Sequence, residues 1–355
     1  MRALREKLSE IYENLGLPRI IIIGFFIVLL IAAVPLGLSV PNLLGDAIRR
    51  WAMYGILVLA MVPAVECGIN LNFGISLGIV AGLLGSTTAI EMGIPNPWTS
   101  LFAAMAIGVL VAIPLGIGYG ILLNRVKGSE MTVSTYVGFS VVAFMNLVWL
   151  SLPFKSGTLI WPLGGRGMRN TISLASSFGG VLNNFLGVQI GDPTQGLYVP
   201  TGLILFFMAA CVVVWLFLRS KTGLAMSAAG SNPMFARASG INVDMMRILG
   251  TTISTALGAI GIITYSQSYG FLQLYNAPLM MGFHCVAAVL IGGATVRSAK
   301  ISHAIIGTFL FQGILAVALP VANKLLPGTN LADVMRIIIS NGIILYALSK
   351  TKEGS

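Results

Sequence analysis

The chain has 355 residues, of which 56% are hydrophobic and only 9% are charged, and its mean hydropathy is +0.92. A soluble globular domain carries about 25% charged residues, so the composition excludes a water-soluble globule, a disordered chain and a nucleic-acid-binding protein. We therefore predict an all-α polytopic membrane protein in which residues 1–355 form one transmembrane domain.

Residues 1–19 are predicted to form a short amphipathic helix on the membrane surface. Apolar side chains at Leu4, Leu8, Ile11 and Leu15 recur there at helical spacing among charged residues. About ten apolar runs follow, each of a length that can span a bilayer. The predicted spans are 20–38, 51–65, 74–91, 98–123, 132–150, 201–218, 248–265, 282–296, 304–321 and 333–349.

The basic residues set the predicted orientation of these spans. With the N-terminus inside, fourteen Lys and Arg residues fall on the cytoplasmic side and seven on the outer side. This bias satisfies the positive-inside rule and favours an even number of spans. Both termini are therefore predicted to be cytoplasmic.

Interruptions near 66–73 and 284–296 predict two broken helices. The first holds Glu66, Gly68, Asn70 and Asn72 in an otherwise apolar stretch, and the second carries a Gly pair at 292–293. Broken segments in corresponding positions of two halves indicate a transport site, because irregular backbone is tolerated only inside protein or along a wet cavity.

Two connections between the spans are long. The outer one, 153–200, has a semi-apolar middle, 172–190, that we expect to form an interfacial helix. The inner one, 219–247, holds a helix start at Asn232-Pro233 and a helix stop at Gly240, which bracket a short helix over 233–239. Such a helix suits the docking of a cytoplasmic partner, and a plain connecting turn is the alternative.

Enzymatic chemistry is sparse in this sequence. Gly74, Ser76 and Gly78 match the Gly-x-Ser-x-Gly nucleophile pattern, but in a membrane span the same residues favour close helix packing. No P-loop is present, and Glu66 is the one carboxylate at a break. We expect no catalytic residue, no metal and no cofactor on this chain, so transport is passive or driven by a partner.

Three segments of the sequence resemble bacterial ABC importer permeases of the branch that takes up ribose, galactose and related monosaccharides. The specific one is the loop at 221–223, 229–233 and 236–243. Weaker likenesses are 67–74, which is similar to the family's G-I-D-L-S-V-G, and 287–295, which is similar to its A-x-V-x-G-G-x-S. All three follow the family's order and spacing.

The resemblance implies a type II-like permease of about ten spans, working as a homodimer or as half of a heterodimer. It lies in the inner membrane and transports sugar, together with an extracytoplasmic solute-binding protein. A cytoplasmic ABC ATPase carries the ATP and Mg. By this likeness the helix at 233–239 is the coupling helix, and the expected ATPase-coupling residues are Thr222, Gly223, Gly230, Asn232, Pro233, Ala236 and Gly240.

The segment near Asn70 to Phe73 would line the solute path by the same likeness. A neutral polyol suits uncharged polar and aromatic groups, because hydroxyls need hydrogen-bond partners rather than counter-charges. The predicted path residues are Asn70, Asn72, Phe73, Ser76, Phe283 and His284.

Departures from the family pattern leave alternatives open. Asn70 stands where the family has an acidic residue, Asn72 where it has serine, and Glu66 where a small polar residue is usual. A nucleoside, riboflavin or autoinducer-type solute is therefore an alternative to a monosaccharide. An ion-coupled carrier that uses Glu66 and an intramembrane hydrolase that uses Ser76 are the other function classes.

Overall fold

Helices form most of the chain in the computed structural model, which describes residues 17–160, 170–192, 196–275 and 277–325, together with 338, 341 and 342. The helices are α1 Leu17–Ala33, α2 Val40–Leu59, α3 Met61–Glu66, α4 Ser76–Glu91, α5 Pro97–Arg125, α6 Glu130–Ser151, α7 Val181–Asn184, α8 Thr201–Arg219, α9 Lys221–Ser231, α10 Pro233–Ala238, α11 Val243–Tyr269, α12 Ala277–Ile291 and α13 Ile301–Leu325. A 3-10 turn, Phe73–Ile75, precedes α4, and the short strands are β1 Thr171–Ser173, β2 Val188–Ile190, β3 Leu197–Val199 and β4 Phe271–Gln273.

Within these described ranges, seven helical segments are long and apolar enough to span a membrane, and two shorter apolar helices accompany them. The seven are Val40–Glu66, Phe73–Glu91, Pro97–Arg125, Glu130–Ser151, Thr201–Arg219, Val243–Tyr269 and Ile301–Leu325, and the shorter two are Arg19–Ala33 and Ala277–Ile291. The predicted all-α polytopic fold is confirmed. Residues 1–16 of the amphipathic helix predicted over 1–19, and all of the tenth span, 333–349, except 338, 341 and 342, fall outside the described residues, so ten spans stay a prediction.

The second span begins at Val40 rather than at residue 51, as the apolar run had predicted. Ser39 caps this helix by accepting a hydrogen bond from the Asn42 N–H, and a proline occupies its first turn. The charged first half is tolerated because Arg49 pairs with Asp46 one turn away, at 3.0 Å. The apolar run begins only at residue 51, so the sequence did not indicate the first eleven residues of this helix.

The second predicted break is also displaced. Helix α12 runs without interruption from Ala277 through His284 to Ile291, and the chain leaves the helix only at Gly292 and Gly293. Gly293 adopts a φ of 96°, a left-handed conformation that favours glycine and terminates helices. The break therefore occupies 292–300, whereas the first break, after Glu66, lies where it was predicted.

An interfacial helix over 172–190 was predicted and is wrong. The segment instead contributes β1, which pairs antiparallel with β4, and β2, which pairs antiparallel with β3; the only helix within it is the single turn α7. Antiparallel pairing satisfies the backbone of a connection that lies against the ends of the helices. Amphipathic character did not distinguish these short strands from a helix.

In the connection 219–247, which was predicted to be cytoplasmic, the structure has two helices where one was predicted. Helix α10 confirms the prediction for 233–239, since Asn232 caps it by accepting from the Phe235 N–H and Gly240 ends it at a φ of 81°. Helix α9 was missed, although Ser220 caps it in the same way through Gly223 N–H. The two helices share a small core in which Ala229, Ala236 and Val243 are buried.

Helix α11 is the central element of the bundle, and it runs from α10 at one end to β4 at the other. Glycines let its neighbours approach closely: a Cβ at Gly116 of α5 would lie 2.8 Å from Thr252 Cα, and one at Gly78 of α4 would overlap the Thr255 carbonyl. Gly78 thus acts in helix packing, as its pattern with Gly74 indicated. We call the two ends of the bundle, at the start and the end of α11, the α10 end and the β4 end.

Candidate functional site

The break after α3 is a tight turn in which two residues have left-handed backbone. Gly68 has a φ of 81° and Asn70 a φ of 68°. The turn is closed by the Cys67, Gly68 and Ile69 amides, which donate to carbonyls in the last turns of α3 at 3.0–3.2 Å. Asn is the side chain, after glycine, that best tolerates this conformation. The left-handed backbone conformation therefore explains why an asparagine occupies position 70.

Asn72 is fully buried and both ends of its amide are engaged. Its Oδ1 accepts from the Tyr119 hydroxyl at 2.9 Å, and its Nδ2 donates to Ser254 Oγ at 3.0 Å. These bonds fasten the turn to α5 and α11. In this conformation Asn72 does not face open space, so its predicted place in the solute path stays a prediction.

Phe73, Ser76 and Phe283, all predicted for the path, do lie together. Ser76 Oγ donates to the Pro278 carbonyl at 2.7 Å, which ties the start of α4 to the start of α12. The ring centroids of Phe73 and Phe283 are 5.4 Å apart, and Phe139 of α6 lies 6.1 Å from Phe283. We call these three rings the aromatic cluster. A nucleophilic serine would instead donate to a general base, so Ser76 has no hydrolase geometry here.

The space within the aromatic cluster is only about 10 Å³, which is too small for any solute. Thr135 and Gly138 of α6 complete its wall. On the same helix Tyr136 and Phe144 are exposed, unlike most aromatic side chains of the bundle core. The structure therefore has a tightly packed aromatic cluster beside an exposed, partly polar helix face.

His284 does not join this group. Consecutive residues on a helix point about 100° apart, so His284 faces away from Phe283. Its ring lies 5.7 Å from that of Phe311 on α13, and it lines a different cavity nearer the β4 end. The predicted path residues therefore divide between two places.

Glu66, at the end of α3, joins three parts of the molecule. Its Oε2 accepts from Ser227 Oγ of α9 at 2.9 Å, and its Oε1 accepts from the Ala299 N–H in the second break at 3.3 Å. Gly230 of α9 packs directly on the same turn, since a Cβ there would overlap the Glu66 carbonyl oxygen and lie 2.8 Å from Gly68 N. We call Glu66, Ser227, Gly230 and Ala299 the Glu66 junction. It connects α9 to both breaks.

The predicted coupling residues occupy α9, α10 and their caps. Gly223 and Ala236 are buried, whereas Thr222, Asn232, Pro233 and Gly240 are exposed. Beside them, Met234 is 83% exposed and Phe235 is 66% exposed. We call this pair the coupling surface. Two adjacent, exposed, large apolar side chains on a capped helix are typical of an interaction site, so the predicted docking role stays a prediction.

A buried ion pair near the α10 end was missed from the sequence. Arg247 of α11 contacts Glu130 Oε1 at 2.5 Å, with both side chains less than 10% exposed. Glu130 Oε2 also accepts from the Gly128 N–H at 2.9 Å, which shapes the turn into α6. In the sequence, Glu130 and Arg247 are single charges at the edges of two different spans. Nothing in the sequence indicated that these two side chains form a pair.

Comparisons with known proteins agree with this architecture. Residues 43–345 match the family described as branched-chain amino acid transport system permease component. The chain is 25% identical to the galactofuranose transporter permease protein YtfT of Escherichia coli (strain K12), over 76% of this chain and 70% of the relative. It is 21% identical to the nucleoside ABC transporter permease protein NupB of Lactococcus lactis subsp. cremoris (strain MG1363), over 70% and 66% respectively.

A third relative is the autoinducer 2 import system permease protein LsrC of Enterobacter sp. (strain 638), 24% identical over 72% of this chain and 65% of the relative. The matched stretch thus spans about two thirds of the length of these relatives. No solved structure is a significant match to the chain.

Proposed function

Since the chain belongs to the family of branched-chain amino acid transport system permease components, we propose that it is the permease subunit of an ATP-driven ABC importer. In this proposal the chain crosses the bacterial inner membrane several times, passes a small neutral polar solute and hydrolyses no ATP itself. One connection carries the proposal: the coupling surface on α10 adjoins α9, and α9 packs through Gly230 on the Glu66 turn. The same turn leads directly to Phe73 in the aromatic cluster.

The partner at the coupling surface is a cytoplasmic ABC ATPase, which binds the ATP and Mg. Met234 and Phe235 would enter an apolar groove of that subunit, and burying their exposed area favours association. The helix that carries them is fixed at its start by the Asn232 cap and at its centre by the buried Ala236. A push on the coupling surface would therefore move α10 as a unit with α9.

The solute path would lie between two copies of this chain or between it and a paralogue. The exposed face of α6 supports this position, because it adjoins the aromatic cluster at Phe139 and carries Tyr136, whose hydroxyl can bond to a solute. The aromatic cluster would form the constriction that is closed in this conformation and opens when the two breaks move. An extracytoplasmic binding protein would deliver the solute to the other side.

A monosaccharide is the solute class we propose. The aromatic cluster is bordered by Ser76 and Thr135 and carries no charged side chain in its wall as the structure describes it. Neutral hydroxyl-rich molecules suit such a surface. The relative named for galactofuranose supports a sugar. Because other relatives are named for nucleosides and autoinducer 2, those solutes and riboflavin are the alternatives.

Co-purification of an ABC ATPase with this chain from its source cells, followed by uptake in liposomes, tests the proposal. We expect Met234→Asp and Phe235→Asp to lose the ATPase while remaining in the membrane. The matched control is Met92→Asp, at an exposed methionine that ends α4 and lies outside the coupling surface.

A complex that survives both coupling-surface substitutions would contradict the docking site. Uptake by the purified chain alone that collapses with a proton or sodium gradient would contradict ATP-driven import altogether.

A further inference from the structure

A second cavity, with a volume of about 260 Å³, lies inside the subunit and apart from the aromatic cluster. Its wall comes from α2, α11, β4, α12 and α13, at the β4 end of the bundle. Tyr265 of α11 lies about 33 Å along that helix from Val243, taking 1.5 Å per residue. We call this space the tyrosine cavity. It is remote from the coupling surface and separate from the closed constriction.

Polar side chains contribute to the wall of the tyrosine cavity. Gln312 of α13 is 2% exposed, and Ser268 of α11 is 8% exposed. Burying a polar group costs free energy unless something bonds to it. A bound molecule with hydroxyl groups would give the Gln312 amide hydrogen-bond partners.

Tyrosine rings provide flat surfaces in the same wall. Tyr265 and Tyr269 stack with their centroids 5.4 Å apart, and Tyr54 meets Tyr265 edge-on at 4.9 Å. Flat aromatic faces together with a few polar groups are the composition of a small-molecule site, and a ring-shaped solute can lie against them. A volume of 260 Å³ is below the ~300–1,000 Å³ of drug-sized pockets, so a single small ring is the appropriate size.

Charged side chains also line the cavity. Arg49 and Arg50 lie at its α2 side, and Arg49 is already paired with Asp46. The Arg50 guanidinium can donate hydrogen bonds to the hydroxyl oxygens of a neutral ligand. Gln273 and Gln312 each present both a donor and an acceptor, as neutral hydroxyl groups require.

We propose that the tyrosine cavity binds one neutral, ring-shaped polyol of monosaccharide size in each subunit, at a site distinct from the path between subunits. The proposal takes its solute class from the proposed function and adds a position for that solute.

Saturation-transfer NMR on the purified full-length chain in nanodiscs, with D-ribose, D-galactose and uridine as probes, tests this site. We expect transfer to one of the monosaccharides in the unmodified protein. The transfer should fall about tenfold in Gln312→Leu, which removes the buried amide, and in Ser268→Phe, which fills the cavity. Gln189→Leu, on the exposed strand β2, is the control that keeps the signal, and melting temperatures identify any variant that is not folded.

Monosaccharide transfer that persists in both folded cavity variants would overturn the proposal, as would transfer to uridine alone or to no probe. Because no ATPase is present, the result separates this site from the proposed function. Sugar binding without ATP-driven uptake refutes only the importer, whereas ATP-driven uptake without sugar transfer to the permease refutes only the cavity.

Discussion

Replacing Glu66 tests whether the Glu66 junction transmits force or carries an ion. Glu66→Leu removes both acceptors, so the Ser227 hydroxyl and the Ala299 N–H lose their partner. Glu66→Gln keeps the shape and both contacts, because the serine hydroxyl can turn and accept from the new amide while the amide oxygen still accepts from Ala299.

The two substitutions should differ in magnitude. A hydrogen bond to a charged group contributes about 1.5–3 kcal/mol, so losing both at Glu66 costs ~3 kcal/mol or more. At 1.4 kcal/mol for each factor of ten, α9 then separates from the breaks about 100-fold more readily. Glutamine retains neutral hydrogen bonds of roughly half the strength, which predicts an intermediate loss.

Solute uptake per ATP hydrolysed, measured on the permease with its ATPase and binding protein in liposomes, is the appropriate assay. We expect ATP hydrolysis to continue in both variants, with uptake strongly reduced for Glu66→Leu and mildly for Glu66→Gln. Glu91→Leu is the matched control, since Glu91 also accepts two hydrogen bonds, from the Lys155 and Ser156 N–H groups at 3.0 Å, but does not contact α9. Normal coupling in Glu66→Leu would refute the junction.

Three further substitutions test the surrounding structure. Gly230→Ala should push α9 off the Glu66 turn and cost ~1–3 kcal/mol of stability or coupling, whereas Gly118→Ala, where a Cβ meets nothing within 4 Å, should leave the melting temperature and uptake unchanged. Glu130→Ala should cost ~3–5 kcal/mol because it strands the buried Arg247, and adding Arg247→Met should restore part of the melting temperature. Asn70→Val should cost ~1–2 kcal/mol at its positive φ while Asn70→Gly is tolerated, and equal effects on the melting temperature would contradict a backbone role.

Local chemistry explains which parts of the fold could be predicted from the sequence. Asn232, Pro233 and Gly240 act on the backbone within a few residues of themselves, so they predicted α10 correctly without any tertiary information. The start of α2 was missed for the opposite reason. The charged residues Asp46 and Arg49 favour a loop when the sequence is considered alone. Only the structure shows that they pair with each other within a helix.

The candidate site was harder to predict, because its contacts join residues far apart in the chain. Asn72 was predicted to line the solute path, but its partner Ser254 lies on another helix, and this contact, which the sequence does not show, holds the Asn72 side chain in the interior. Phe283 and His284 were grouped by adjacency, although helical geometry alone places successive side chains on different faces. The role of Glu66 depends on α9, which the sequence had not indicated as a helix.

The choice between ATP-driven and ion-driven transport depends on the carboxylates, because a carrier needs one that can take up and release an ion within the membrane. All of those in the described ranges have partners within the protein: Asp46, Glu66, Glu91, Glu130, Asp192 and Asp244. Among them, Glu66 alone touches both breaks, so Glu66 is the described carboxylate that we expect an ion-coupled carrier to use. A carrier that depends on the charge of Glu66 would lose transport equally in Glu66→Gln and Glu66→Leu, whereas a mechanical junction predicts a graded loss.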